Sequence, residues 1–358
     1  MSGLFKDLKV VELANVLAGP AVGLFFSELG AKVIKVENKS TNGDVTRSWK
    51  LPSENVQSKS SAYYAAVNWN KATVFADFKN TSEKLKIHAL IKTADVVIAN
   101  YKKGDDVKLG MDYNTLKKLN PKLIYGQISG FGENSSRTAF DLVLQAETGF
   151  MFMNGTTTSG PIKMPVALID ILAAHQLKEG ILVALLNKLK TGKGAKVSVS
   201  LYDAAIASLA NQATNWLMAK HNPQPIGSLH PNIAPYGELF STADKKLIVL
   251  AVGNDRQFIQ LCSVLKSEKL ITDKKFSTNS QRVKNRTALF EILKKEIKKH
   301  KATELMKQFI QKDIPAGRIK SVKEALEEKP AKQLLLKENT VLNGRSIRVK
   351  SNIFKITN

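Results

Sequence analysis

Cysteine is almost absent from this 358-residue sequence, which contains only Cys262. A single thiol excludes a disulfide within the chain and zinc sites built from several cysteines. The sequence also lacks an apolar run long enough to span a bilayer, and its first residues lack the charged-then-apolar pattern of a secretion signal. We expect a cytoplasmic protein, or a mitochondrial or similar matrix protein if the source is a eukaryote, with no membrane association and no metal site.

Acidic residues are few compared with basic ones. The chain has 31 aspartates and glutamates against 54 lysines and arginines, which gives a formal charge of +23. Such a balance is typical of nucleic-acid-binding proteins. The lysines are dispersed over nearly every predicted helix, however, as in 291–301, without aromatic interleaving or a dense basic arm. This pattern favours a solvated lysine-rich surface over a nucleic-acid site, and its positive field suits a polyanionic small ligand.

Strand-like and helical patterns alternate through the first 200 residues, which predicts an α/β protein with a parallel sheet covered on both faces. The loop after the first strand has one glycine between Asn15 and Pro20, where a dinucleotide fingerprint needs three, so an NAD-dependent enzyme is disfavoured. The predicted strands are 8–13, 31–37, 72–78, 94–99, 123–129 and 195–200, and the helices between them are 20–29, 84–92 and 113–119.

The second half of the chain changes in texture. A helix is predicted over 203–220, and the four prolines of 221–236 then break all periodicity, as in a linker or a binding loop. A smaller α/β region follows. Its predicted elements are strands at 237–241 and 246–252 and helices through 254–312. The tail from Pro330 returns to strand-like segments at 345–349 and 353–356.

Asp170 lies where an apolar segment gives way to a long helical pattern that continues to about Lys190. A carboxylate at a helix N-terminus faces backbone N–H groups, and the helix dipole favours its ionised form, so Asp170 is a candidate nucleophile. The alternative is an ordinary N-cap, because aspartate is among the residues preferred there. Taken by itself, the local pattern favours the N-cap.

A series of short motifs gives the chain a distinctive signature. In order, they are Val-Val-Glu-Leu, Ala-Gly-Pro, Leu-Gly-Ala-Lys-Val-Ile-Lys-Val-Glu, Gly43-Asp44 with Arg47, Asn70-Lys71 with Asp77, Asn100-Tyr101, Leu109-Gly110 and Ser129-Gly130-Phe131-Gly132. Together they resemble the class III CoA-transferases, the CaiB/BaiF family, over nearly the whole chain. The stretches 227–236 and 253–258 look most like the succinate–hydroxymethylglutarate CoA-transferase branch, which moves CoA between dicarboxylic acids.

The resemblance implies a chemistry centred on Asp170, which falls at the family's catalytic aspartate. Its carboxylate would attack the thioester carbonyl of an acyl-CoA, and transfer to a small, dicarboxylic acid would proceed through an aspartyl anhydride and an aspartyl-CoA thioester. Coenzyme A is then a substrate, and no tightly bound cofactor is expected. The positions that match CoA-binding residues are Val16, Leu17, Asn38, Lys39, Ala76, Lys79, Asn100, Tyr101 and Lys108.

Each of those lysines has a plainer interpretation as a solvent-exposed charge, since the chain is so basic. A second carboxylate on the substrate would need a cationic or N–H-rich pocket. The candidates for that pocket are Arg137, His230 and Arg256, and His230 is equally well explained as a loop residue bonded to backbone. Phe140 is a further candidate for contact with the substrate.

The resemblance also implies the architecture. A large Rossmann-like CoA-binding domain is expected at 1–195 and 330–358, a helix and linker at 196–224, and a small α/β domain with its return linker at 225–329. Two such chains would interlock as a homodimer. One alternative is a 2-methylacyl-CoA racemase or epimerase, which is disfavoured because Phe140 stands where that branch has a proton-transferring histidine. The other alternative is a non-catalytic protein that binds CoA or nucleic acid.

Overall fold

The computed structural model describes residues 3–357. Within that range the chain forms two compact units, one made of 3–225 and 333–357 and the other of 226–332. The strands of the first unit up to residue 225 are β1 (Lys9–Glu12), β2 (Lys32–Asn38), β3 (Ala72–Ala76), β4 (Val96–Ala99), β5 (Ile124–Ser129), β6 (Gly155–Thr156), β7 (Gly160–Pro161) and β8 (Ala195–Ser200). Its helices are α1 (Ala18–Glu28), α2 (Ala62–Ala65), α3 (Thr81–Lys92), α4 (Asp105–Leu109), α5 (Tyr113–Leu119), α6 (Asp141–Glu147), α7 (Phe150–Met153), α8 (Leu168–Thr191), α9 (Leu201–Ala207) and α10 (Ala210–Ala219).

Six of these strands form a single parallel sheet in the order β3-β2-β1-β4-β5-β8. The α/β prediction with a central parallel sheet is therefore confirmed. This strand order is that of the doubly wound Rossmann type, in which the winding direction reverses between β1 and β4. Loops at the carboxyl ends of strands separate at such a reversal and leave a crevice, which is where ligands bind in open α/β sheets.

The sheet is buried on both faces because its strands present apolar side chains to each side. Val10 of β1 belongs to the core shared with α1 and α8, whereas the adjacent Val11 belongs to the core shared with α3 and α5. Gly126 of β5 faces α8 so closely that a Cβ there would lie 2.8 Å from the Ile181 side chain. Since side chains alternate along a strand, the next residue, Gln127, faces the opposite side of the sheet.

The second unit contains an antiparallel sheet, ordered β11-β10-β9, that packs against helices. Arg282 is fully buried in this unit and donates hydrogen bonds to the carbonyls of Ala234 (2.9 Å) and Phe276 (3.0 Å). The elements of the second unit are β9 (Tyr236–Ser241), β10 (Leu247–Ala251), α11 (Asp255–Val264), α12 (Lys269–Thr272), α13 (Asn279–Lys284), α14 (Arg286–Ile297), α15 (Ala302–Gln311), β11 (Ala316–Arg318), α16 (Val322–Glu327) and α17 (Lys329–Lys332).

The C-terminal part of the first unit differs from the sequence-based prediction. It forms an antiparallel hairpin of β12 (Leu335–Thr340) and β13 (Gly344–Val349). The predicted strand at 353–356 is wrong, because this segment pairs with no strand in the described chain and its apolar side chains are exposed. The single helix predicted over 203–220 is also wrong, because the structure has two helices there, α9 and α10. Ala210 has a left-handed φ of +48°, which a continuous right-handed helix cannot accommodate.

None of the helices within residues 3–357 combines the length and the apolar character needed to cross a bilayer.

Candidate active site

A cavity of about 310 Å³ lies at the carboxyl ends of β1, β4 and β5, where the strand order reverses. It is formed by the loops that follow these strands together with the starts of α6, α8 and α9. The structure thus brings together residues from widely separated parts of the chain. The sequence-predicted residues on its wall are Val16, Leu17, Asn100, Tyr101, Arg137, Phe140 and Asp170.

Asp170 is the third residue of α8 and is not its N-cap, which is Ala167. The helix begins two residues earlier than the sequence suggested because another segment supplies the cap. The carboxylate of Asp141, at the start of α6, accepts a hydrogen bond from the Ile169 N–H at 2.7 Å. Gln145 in turn donates to Asp141 at 2.6 Å. Helix α6 therefore holds the first turn of α8, and the Asp170 carboxylate is left for another role.

The Asp170 side chain is an unusually basic carboxylate. The residue is only 9% exposed, and burial, followed by the negative charge of Asp141, raises the pKa of its carboxyl to about 7. Burial therefore opposes the ionised form that the helix terminus was expected to favour. A carboxylate of this kind is ionised in part near neutral pH and is a stronger base and nucleophile than a solvated aspartate.

The loop after β1 is held in a strained conformation beside Asp170. Val16 has φ +71°, which is rare for a β-branched residue, and its N–H donates to Asp44 at 3.1 Å. Asp44 is bonded to the ammonium group of Lys35 at 3.0 Å, and Lys35 also contacts Glu12 at 3.1 Å, with all three side chains buried. Although burial opposes it, the charge of Lys35 lowers the pKa of Asp44. This buried ionic cluster fixes the wall of the cavity.

Asn100 shapes the same loop from the end of β4. Its amide accepts a hydrogen bond from the Asn15 N–H at 3.0 Å and donates to the Asn15 carbonyl at 2.8 Å. Both groups of the Asn100 amide are thus engaged with backbone. The side chains of Asn15 and Gln127 line the cavity as well, and their amide oxygens are buried without a hydrogen-bond donor among residues 3–357.

The cations of the cavity differ from those expected. Arg137 lines it, but its guanidinium forms a bidentate pair with Glu147 and stacks 4.1 Å from the centre of the Phe131 ring. Sequence reasoning missed Lys102 and Lys103, which also line the cavity and donate to the neutral oxygens of Thr138 and Asn134. Their position directly after the Asn100-Tyr101 motif was the available signal.

A second, basic cavity of about 580 Å³ lies near the ends of β2 and β3. Lys39 borders it and forms an ion pair with Glu83 at 3.1 Å. The prediction that Ala76 forms a ligand wall was wrong, because this residue is 2% exposed and packed in the core. The adjacent Phe75 lines the cavity instead. The basic residues on its wall are Lys39, Arg47, Lys50 and Lys59.

The remaining candidates lie outside both cavities. Asn38 caps a short 3₁₀ turn by accepting the Ser40 N–H at 2.9 Å. Lys79 is exposed, and Lys108 is exposed on α4 beside Asp105. Two further candidates belong to the second unit: the His230 ring accepts a hydrogen bond from the Asn232 N–H at 3.1 Å, and Arg256 is exposed on α11.

Tyr63, on the short helix α2, is a further residue that sequence reasoning missed. Burial raises the pKa of its phenol to about 12, and the charges of Asp170, Asp141 and Asp44 contribute to the shift. The hydroxyl is therefore protonated at neutral pH and available as a donor near these carboxylates. No motif in the sequence distinguished this tyrosine from its neighbour Tyr64.

Metal ligands are not grouped in the part of the chain that the structure describes: no three histidine, cysteine, aspartate or glutamate side chains lie in an arrangement that could hold an ion.

Comparison with known proteins gives consistent matches. The sequence profile of CoA-transferase family III matches residues 5–355. A succinate–glutarate CoA-transferase from Agrobacterium fabrum is 39% identical over 325 residues, which cover 89% of this chain and 80% of that protein. A succinyl-CoA:glutarate CoA-transferase from Homo sapiens is 32% identical over 326 residues, with 90% and 73% covered. The crystal structure of a CaiB/BaiF family protein from Brucella suis superposes with a TM-score of 0.87 at 36% identity, covering 99% of this chain and 93% of the other.

Proposed function

The chain belongs to CoA-transferase family III, and from this premise we propose that it transfers CoA from succinyl-CoA to a small dicarboxylic acid such as glutarate, with Asp170 as the covalent carrier. The observation that carries the proposal is a nearly buried carboxylate, with its pKa raised to about 7, on the wall of the cavity at the strand-order reversal. The substrate class rests on relatives named for the succinate–glutarate pair.

The first half-reaction loads CoA onto the protein. The Asp170 carboxylate attacks the thioester carbonyl, the C–S bond breaks, and a mixed aspartyl-acyl anhydride and CoA thiolate form. The thiolate then attacks the aspartyl carbonyl of the anhydride. This second step releases the donor acid as its carboxylate and leaves CoA bound to Asp170 as a thioester.

The second half-reaction repeats these steps in reverse with the acceptor. The acceptor carboxylate attacks the Asp170 thioester, which forms a new anhydride and releases CoA thiolate. The thiolate attacks the acceptor's carbonyl carbon, so that acceptor-CoA leaves and the Asp170 carboxylate is restored. No net proton, electron or water is consumed, and water must be excluded because it would hydrolyse either intermediate.

Several features of the cavity suit this chemistry. Burial makes Asp170 more reactive than a solvated carboxylate, and the protonated Tyr63 hydroxyl lies close enough for its pKa to respond to the Asp170 charge. Lys102 and Lys103 place positive charge at the cavity for a carboxylate or phosphate.

The basic second cavity, with Phe75 on its wall, suits the nucleotide of CoA, since an aromatic ring stacks with a base and lysines pair with phosphates. Lys39 is the sequence-predicted residue that borders it.

The cavity favours transfer over racemisation. A racemase needs acid and base groups on either side of an α-carbon. Phe140 precedes α6 at the cavity wall, is 54% exposed and has no titratable group. We therefore expect no solvent deuterium at the α-carbon of the acyl-CoA during turnover.

We further propose that the two units are a large CoA-binding domain and a small domain of an interlocked homodimer. An exposed apolar stripe on α8 supports a homodimer. Val183, Leu186 and Leu189 are 66%, 61% and 84% exposed, and large apolar side chains spaced along one helix indicate a surface covered by a partner. The mass in solution should be about twice 39.4 kDa, and Leu186→Glu should shift the protein towards the monomer.

The transfer itself is tested by incubating the protein with succinyl-CoA and a panel of mono- and dicarboxylic acids. We expect new acyl-CoA products with dicarboxylic acids, and none from Asp170→Asn protein that still binds CoA. Turnover by Asp170→Asn would overturn the assignment of the carrier. If the wild-type protein binds CoA but transfers CoA from succinyl-CoA to no dicarboxylic acid, the proposed substrate class is wrong.

A further inference from the structure

Gln127 is a buried amide that the proposed mechanism does not use. The residue is 7% exposed, lies near the carboxyl end of β5 and lines the cavity that contains Asp170. Its Oε1 atom is buried, and no donor within residues 3–357 reaches it. Because nearly all buried polar groups in folded proteins have hydrogen-bond partners, an unpartnered amide on a cavity wall points to a ligand as the partner.

The position of Gln127 distinguishes it from the residues around the carboxylate. It pairs in register with Ala99 of β4, which immediately precedes Asn100 and Tyr101. Its side chain lies on the face of β5 opposite to α8, since Gly126 faces Ile181 of that helix. A substrate whose carbonyl reaches Asp170, at the start of α8, must therefore extend across the end of the sheet to contact Gln127.

The chemistry of the side chain selects the group that it recognises. A carboxylate has acceptors only, so it would leave the Gln127 oxygen unpartnered. A neutral amide offers an N–H and a C=O together, which match the C=O and the N–H of a second amide. The pantetheine arm of a CoA thioester carries such amides next to the thioester. If the Oε1 and Nε2 atoms of the Gln127 amide exchange places, the side chain still offers one acceptor and one donor. The match to a second amide is therefore the same in either orientation of the Gln127 amide.

We propose that Gln127 forms hydrogen bonds to an amide of the pantetheine arm and thereby positions the acyl-CoA thioester against Asp170. This inference rests on the proposed function for the identity of the substrate, and it makes Gln127 a positioning residue for CoA. The adenine base also combines donors and acceptors, but it lies at the far end of CoA, beyond the whole arm and the diphosphate. We therefore assign the contact with Gln127, in the cavity that contains Asp170, to the pantetheine arm.

The test compares the wild type with Gln127→Met, which keeps the length of the side chain and removes the amide. Gln260→Met is the matched control, because Gln260 also has a buried oxygen without a donor in the described chain but does not line this cavity. Dissociation constants for CoA and for pantetheine are measured by calorimetry. Steady-state kinetics give KM for succinyl-CoA and for glutarate.

Gln127→Met should raise the dissociation constants for CoA and for pantetheine by the same factor, about tenfold. This is the effect of losing one or two hydrogen bonds to a buried amide. In the same variant, KM for succinyl-CoA should rise by a similar factor, and KM for glutarate should stay within about twofold of the wild-type value. The control Gln260→Met should change none of these values. The melting temperature of Gln127→Met should be unchanged or higher, since no partner within the described chain is lost at Oε1. A purely structural role would lower it.

Any of three results with Gln127→Met would overturn the inference. Unchanged CoA and pantetheine binding would show that Gln127 contacts neither. Weaker CoA with unchanged pantetheine would place the contact on the nucleotide, and a higher KM for glutarate alone would place it on the acid. If wild-type protein bound CoA but transferred nothing, the proposed function would fail while the binding comparison still tested Gln127. A wild type that bound neither ligand would refute both.

Discussion

Replacing Asp170 with asparagine should stabilise the protein at pH 8 while removing its activity. The folded protein holds this carboxyl with a pKa raised to about 7, against 3.8 for the ordinary group, because burial and then the charge of Asp141 disfavour ionisation. A raised pKa of this kind contributes stability that is fully present below pH 3.8 and is lost as the pH rises to about 7. Asparagine has similar shape and does not titrate.

The magnitude follows from the same pKa. Each unit is equivalent to about 1.4 kcal/mol, so the wild type loses stability relative to Asp170→Asn by that amount per pH unit across the window. The advantage of the variant should be roughly 2 kcal/mol at pH 5 and up to about 4 kcal/mol at pH 8. With an unfolding entropy of about 2.1 cal/mol/K per residue, the larger figure corresponds to a rise in Tm of roughly 5 °C.

The assay is thermal unfolding of both proteins at equal concentration from pH 5 to pH 8. Asp112→Asn is the control. Although burial opposes it, hydrogen bonds from Thr115 lower the pKa of Asp112, so this carboxyl is ionised in both states throughout the window and its Tm difference should be constant. An Asp170→Asn difference that is also constant, or that shrinks as the pH rises, would show that the folded protein does not raise the pKa of Asp170.

Three other substitutions test other parts of the structure. Asp141→Asn removes the like charge beside Asp170, so the acidic limb of the kcat/KM profile should move to lower pH, and an unmoved limb would contradict this. Asp44→Ala removes a partner of a buried lysine and should cost about 3 kcal/mol or more in urea unfolding, whereas a loss below about 1 kcal/mol would show that the cluster does not stabilise the loop. Gly194→Ala places a Cβ against the backbone of Lys122 and Leu123, which precede β5, and should cost about 1–3 kcal/mol. Its control is Gly253→Ala, whose Cβ would meet only the Gln257 side chain at 3.6 Å and which should change stability by less than about 0.5 kcal/mol.

Much of the cavity follows from the periodicity of the sequence. Alternating strands and helices predict a parallel sheet, and residues that follow parallel strands meet at one edge of it. This explains why Val16 and Leu17, which follow β1, lie on one wall with Asn100 and Tyr101, which follow β4. The resemblance placed Asp170 at the catalytic position, and the structure brings it to the same cavity.

The features that the sequence did not reveal depend on contacts between distant residues. The cap of α8 comes from Asp141, which is far from Ile169 in sequence, so no local capping pattern marked the start of the helix. The raised pKa of Asp170 likewise results from burial and from that distant charge. Ala76 was a wrong choice beside Phe75 because a strand exposes alternate residues, and the motif alone does not show which one faces the ligand.

If CoA is carried on Asp170, the covalent intermediate can be trapped there. Wild-type protein is mixed with succinyl-CoA, treated with hydroxylamine or borohydride, digested and analysed by mass spectrometry, with Asp170→Asn as the control. We expect a hydroxamate or an alcohol at Asp170 that depends on succinyl-CoA and is absent from the variant. Transfer of CoA with Asp170 unmodified, or with the label on another carboxylate, would contradict it.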